Sequence, residues 1–183
     1  TEIIDELGDI KHLKLNKIAF LPNYAYNEIF NIININKTLD VIHSYSTYFS
    51  LKKYMNKFET DIFKYPVIHT ITKEGVSFIY TSDNSKGHFN EPKIILNFNR
   101  LQYAYPEQND YNGKFGMSQI TFGIPIKSRE EGDLILKAIE TPLFKKIISA
   151  TKWGAFQTDQ RMFSYFKPDW YKIILEAQVN VKI

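Results

Sequence analysis

The chain of 183 residues is long enough for one domain with a helical appendage, and at 44% hydrophobic residues it can bury a core. It has no cysteine, which excludes disulfides, thiolate nucleophiles and Cys-ligated zinc. Its net charge of +3 and pI of 8.8 stop short of the strongly basic balance, about 9 and above, of a dedicated nucleic-acid binder, so the clustering of charge matters more than its sum.

No apolar run approaches the roughly 20 residues that span a bilayer. The opening Thr1-Glu2-Ile3-Ile4-Asp5-Glu6 is acidic and polar, unlike a signal peptide, and lacks an initiator Met. The expectation is a soluble piece of a longer cytoplasmic protein, with no membrane partner. Aromatics are abundant at 15%, with 14 Phe and 12 Tyr against 2 Trp. Tyr serves both cores and base-stacking surfaces.

In chain order, residues 17–21 read as a short strand ended by Pro22. A helix follows over 24–34, capped by Asn23, with Tyr26, Ile29, Phe30 and Ile33 on one face. A second helix is predicted from Thr38 to Tyr48, so residues 1–62 read as a helical or linker segment ahead of an α+β domain over 63–183. Residues 67–71 and 76–81 form a hairpin around Thr72-Lys73-Glu74-Gly75. Strands are predicted over 93–98 and 119–126. Ser128-Arg129-Glu130-Glu131 is a capping box that starts a helix, Pro142 opens another, and Asp159 caps a short one bearing Arg161, Met162 and Phe166. Strands in the middle with helices before and after predict an α+β fold. Its centre is an antiparallel or mixed sheet with helices packed on it, and the C-terminal third is helical.

Motifs for chemistry are sparse. Gly113-Lys114-Phe115-Gly116 is neither a phosphate loop nor a dinucleotide fingerprint, and His12, His43, His69 and His88 lack metal-ligand spacing. Glu91-Pro92-Lys93 has the E-x-K spacing of metal-dependent nucleases with Asp83 upstream, but Pro92 stands where that core wants a strand residue. The sequence assigns no catalytic, cofactor-binding or metal residue.

Three segments suggest contact with DNA. The connection from Tyr103 to Gln119 is rich in Tyr, Asn and Gln. Its Tyr103 and Tyr105 are candidates to stack or wedge, Lys114 to touch a phosphate and Gln119 to read a base edge. Lys152 to Arg161 sets Lys152, Gln157, Gln160 and Arg161 past a helix end, near Lys145 and Lys146. Lys73 at the hairpin tip and Lys86 in the loop after it are further phosphate candidates. The alternative for each is an ordinary solvated turn or cap, and for Trp153 and Phe156 core packing.

Taken in order, Pro66-Val67-Ile68-His69-Thr70 then Tyr80, Pro92-Lys93-Ile94-Ile95, Gly113-Lys114-Phe115-Gly116, Ser128 to Gly132 and Phe144 to Phe156 resemble the target-recognition region of type IIG restriction–modification enzymes and adenine-N6 DNA methyltransferases. The resemblance covers about residues 64–170, with Phe115 where that pattern has Tyr and Gly154 where Ser is common. It implies sequence-specific recognition of double-stranded DNA on behalf of a methyltransferase or nuclease domain elsewhere in the parent chain. S-adenosylmethionine and Mg²⁺ would belong to that domain, not to these residues. The competing readings are a Mg²⁺-dependent nuclease using Asp83, Glu91 and Lys93, and a protein-interaction or scaffold domain.

Overall fold

A computed structural model describes residues 1–5, 8, 10–152 and 159–180. The fold is α+β, built from three small sheets and a layer of helices. β1 (Glu2–Ile4) and β2 (Ile10–His12) pair only with each other. β3 (Met55–Asn56), β5 (Gly75–Thr81), β4 (Tyr65–Thr72) and β8 (Gly116–Met117) form a mixed sheet in that order, with β4 and β8 parallel. β7 (Asn109–Asp110), β6 (Lys93–Asn97) and β9 (Thr121–Pro125) form an antiparallel sheet.

β6 is the hub, and all five of its residues are buried. Side chains alternate across a strand. Ile94 and Leu96 therefore face the helices, where they join Phe122 and Ile124 of β9. Ile95 faces the other way and packs with Ile68, Ile71 and Met117 of the mixed sheet. A strand covered on both faces reads as an unbroken apolar run, as Ile94-Ile95-Leu96 does.

Four helices cover the first of these faces: α1 (Tyr26–Ile32), α2 (Arg129–Glu140), α3 (Pro142–Ala150) and α4 (Trp170–Asn180). The predicted cap of α2 is present on one side, since Ser128 Oγ accepts from the Glu131 amide at 3.1 Å; the Glu131 carboxylate reaches back to the Lys127 amide instead of Ser128. Thr141 caps α3, with Pro142 in its first turn. Phe163 sits between Phe122, Phe144, Phe166 and Trp170. Truncating aromatics at such positions typically costs about 3–5 kcal/mol.

The helical N-terminal segment is not observed. The described residues of 1–62 contain β1, β2, β3, one 3₁₀ turn at Leu15–Lys17 and a single short helix, α1. The predicted strand at 17–21 is absent, and α1 begins after Ala25, which takes a left-handed φ of 57°, not after an Asn23 cap. The predicted helix over 38–48 is also absent. Its apolar residues are spent differently: Ile42 bridges to Gly123 at the free edge of β9, with amide–carbonyl bonds of 2.9 and 2.8 Å. A side chain on Gly123 would stand 2.8 Å from Ile42 and 3.0 Å from Met117, so this approach requires glycine. Residues on both sides of the expected boundary at 62 share one core, because Ile29, Ile32 and Ile33 pack with Ile94, Phe122 and Trp170.

Candidate nucleic-acid interface

The candidate site lies at the C-terminal end of β6. Past Asn97 the chain turns tightly. Asn97 Oδ1 accepts from the Asn99 amide at 2.9 Å, and the Phe98 amide bonds the Ile120 carbonyl at 3.1 Å. Phe98 stacks on Phe122, with centroids 5.2 Å apart. This turn and the β8–β9 turn form one wall of a cleft of about 960 Å³, lined by Phe98, Asn99, Gln119 and Ile120.

The opposite wall is the 3₁₀ helix Gln160–Tyr165. Asp159 caps it by accepting from the Arg161 amide at 2.9 Å, and buried Met162 and Phe163 anchor it, so Gln160 and Arg161 line the cleft. The loop carrying Lys37 is tied to this helix. The Asn34 amide bonds Tyr165 O, the Thr38 amide bonds Ser164 O, and Thr38 Oγ1 bonds Phe166 O. Lys37 lies 6.0 Å from the Tyr165 ring centroid, and Phe20 meets that ring edge-on.

His43 follows the Ile42–Gly123 bridge. Its Nε2 is 3.3 Å from the Gln119 carbonyl, and its ring meets Phe98 edge-on at 5.0 Å. Burial holds the imidazole below its ordinary pKa, against the raising effect of that hydrogen bond, so it is neutral at neutral pH. Two atoms of this wall, His43 Nδ1 and Gln119 Oε1, are shielded from solvent without a hydrogen-bond partner. Arg161 is forked onto Asp159, with three contacts of 2.5–2.9 Å. Its hydrogen bonds hold the Asp159 carboxyl below the usual range, so the lining carries Lys37 and Arg161 against one carboxylate.

A smaller hollow of about 220 Å³ lies beside the same turn. It is lined by Leu101 and Gln102 on one side and by Lys145, Ser149 and Lys152 of the α3 end on the other. Asn23 Nδ2 donates to the Lys152 carbonyl at 2.9 Å and holds that end in place.

The twelve residues singled out from sequence divide accordingly. Gln119, Gln160 and Arg161 share the cleft, and Lys145 and Lys152 share the hollow. Lys146 is exposed but bonds Glu28 at 2.8 Å. Lys73 is exposed at the hairpin tip beside Glu74. Gln157 lies outside the described residues, as do Trp153 and Phe156.

Tyr103 and Tyr105 pack against the mixed sheet. Both are half-buried against the Ile68–Ile71–Ile95 cluster, and the Tyr105 hydroxyl is held by the Thr72 and Lys73 carbonyls at 2.9 and 3.0 Å. Lys86 is exposed in a loop whose carbonyl accepts from Tyr48. Lys114 belongs to the other end of β6, where Asp110 pairs with Lys93 and accepts the Lys114 amide at 2.7 Å. Lys114 and Lys152 therefore lie toward different ends of β6. The close approach that Gly113 permits is internal as well: its φ is +64° and a side chain there would stand 2.6 Å from the Asn90 backbone.

The nuclease trace is also absorbed by the fold. Lys93 is fully buried and bonds Asp110 at 2.7 Å and the Glu91 carbonyl at 3.1 Å. The Glu91 carboxylate bonds His88, and Asp83 accepts from the Ser85 amide. Among the described residues no group of three or more His, Asp or Glu side chains is arranged to hold a metal, and no helix is long and apolar enough to cross a membrane.

Lys37, His43, Phe98, Asn99 and Gln102 were missed from sequence. The one available signal was the polar Asn99-Arg100 turn shortly after the apolar run Ile94-Ile95-Leu96, a usual place for a site on a rigid scaffold. Comparison of the chain with protein-family models, curated proteins and solved structures gave no match. The resemblance over residues 64–170 thus rests on its motifs alone.

Proposed function

We propose that the chain is a DNA-recognition module that engages DNA with the C-terminal end of β6 and presents it to a catalytic domain outside these residues. One observation carries this reading: Gln119, Gln160 and Arg161, about 40 residues apart in sequence, line a single cleft with Lys37, and Lys145 and Lys152 line the hollow next to it. Amides and guanidinium groups read bases, and lysines bind phosphate as point charges. The motif resemblance to target-recognition regions supports the same division of labour.

If Lys37, Lys73, Lys145 and Lys152 neutralise about four phosphates, log K falls with log salt at a slope near −4. Gel shifts on random-sequence duplex over a salt series test this. Lys145→Ala/Lys152→Ala should weaken binding about tenfold at moderate salt and flatten the slope by about 2. Unchanged binding by that double variant would remove the assignment.

A second reading has its own support. Of the eleven large exposed apolar side chains among the described residues, nine precede residue 63, and Ile4 and Ile10 form a cross-strand pair on a ribbon that pairs with no other described strand. Exposed apolar surface of this kind favours docking on another protein domain. DNA binding and such docking use different parts of the chain and are compatible.

A further inference from the structure

Reading bases in an intact duplex requires a protruding element, because base edges lie on the floor of a groove that admits a helix or a ribbon. Gln119 and Gln160 are only partly exposed, whereas the Arg161 side chain is 77% exposed and held by Asp159. All three line a recess bounded on one side by the Phe98–Asn99 turn and on the other by a 3₁₀ helix whose Met162 and Phe163 are buried. Sugar–phosphate strands would meet the rim before a stacked base reached the two glutamine side chains.

The recess itself has the composition of a base-binding pocket. At about 960 Å³ it lies at the upper end of the range for small-ligand sites, about 300–1,000 Å³, and a nucleoside fits within it. Its walls carry the rings of Phe20, His43, Phe98 and Tyr165 together with the amides of Asn99, Gln119 and Gln160. Rings supply stacking platforms for any base, and amides offer the paired donor and acceptor that a base edge needs. The hydrogen bonding of the wall is also incomplete, since Gln119 Oε1 and His43 Nδ1 have no partner. The neighbouring hollow provides Lys145 and Lys152 for a flanking phosphate.

We infer that the cleft at the end of β6 takes an unstacked base of a DNA strand, extruded or unpaired, while the lysines beside it hold the adjoining backbone. This rests on the DNA-binding reading and narrows it to a ligand class. An unpaired base needs no unstacking before it enters, so DNA carrying one binds more tightly than a flush duplex.

The test is competition binding of the whole chain to a short duplex, the same duplex with one bulged nucleotide, and a free mononucleotide. The expected result is a preference of about tenfold for the bulged duplex. That preference should shrink to about twofold in Gln160→Ala/Arg161→Ala, whose side chains lie outside the core. Phe98→Ala should act similarly, but its ring also packs on Phe122, so the Gln160/Arg161 pair is the safer variant. Equal affinity for bulged and flush duplexes would overturn the inference and leave the DNA-binding reading standing. A mononucleotide that competes as well as the bulged duplex would overturn it in favour of a free-nucleotide site. Binding to none of the three overturns both.

Discussion

The two ends of β6 are built in opposite ways. At its start, Lys93 and Asp110 form a buried pair in which the shared polar groups are well partnered. The ammonium bonds Asp110 and the Glu91 carbonyl, and the carboxylate also accepts the Lys114 and Phe115 amides at 2.7 and 3.0 Å. At its far end, the cleft is open and its wall keeps an acceptor and an imidazole nitrogen without partners. A closed polar cluster fixes the path of the chain. An incomplete one beside a recess has hydrogen bonds left for a ligand. Asn109 Oδ1 of β7, beside Asp110, also lacks a partner, so it is the open recess that distinguishes the far end.

The largest effect is expected at the closed end. Asp110→Ala leaves a buried ammonium uncompensated and frees two amides, so it should cost about 3–5 kcal/mol in denaturant unfolding. Burial already pushes the Lys93 pKa down, against the pull of Asp110, so the lone lysine would meet that penalty alone. Replacing both, as Lys93→Met/Asp110→Leu, should recover much of the loss, because no charge is then stranded. A double variant as unstable as the single one would mean that the amide contacts of Asp110, not the ion pair, dominate.

At the open end the sign reverses. Gln119→Leu removes an acceptor that makes no hydrogen bond, so it should raise stability by about 0.5–1 kcal/mol and weaken DNA binding. Stability and binding measured on the same variant give the sharpest form of the comparison. A destabilised variant would show that the Gln119 side chain supports the fold after all.

Much of the scaffold was legible from local rules. The β4–β5 hairpin, the apolar run of β6, Pro142 opening α3 and Asp159 capping its 3₁₀ helix were all readable from turn and cap residues. The N-terminal region was not, because Leu39 and Ile42 have helical spacing but are used in tertiary contacts, Ile42 through its bridge to Gly123. Lys114 misled for a related reason. Its glycine-flanked loop is shaped by Asp110 and the Asn90 backbone, and nothing local in sequence reveals that partnership. Gln119, Gln160 and Arg161 were recognisable as residue types, but only the three-dimensional fold brings them together.

A smaller effect should appear with pH. His43 and His69 each have a solvent-shielded Nδ1 without a partner, and burial lowers both imidazoles below the ordinary value of 6.5. Between the folded values and 6.5 the unfolded chain binds more protons than the native one. This contribution to stability is therefore full above about pH 6.5 and is lost as pH falls toward the folded values. Thermal midpoints should hold steady from about pH 8 to 7 and then decline, and His43→Gln/His69→Gln should flatten that decline. A decline of equal size in the double variant would assign it to the carboxylates instead.

The smallest effect is expected from Lys114→Ala. The side chain is exposed and lies over the Phe115 ring, whereas the contribution of this position to the closed end comes through its backbone amide, which alanine also supplies. The unfolding midpoint should stay unchanged. DNA affinity should also stay within about twofold of wild type, while Lys145→Ala/Lys152→Ala falls about tenfold. If Lys114→Ala instead weakens binding as much as the α3 lysines do, DNA contacts both ends of β6. The division between a structural end and a binding end would then be wrong, and the interface would run the length of the strand.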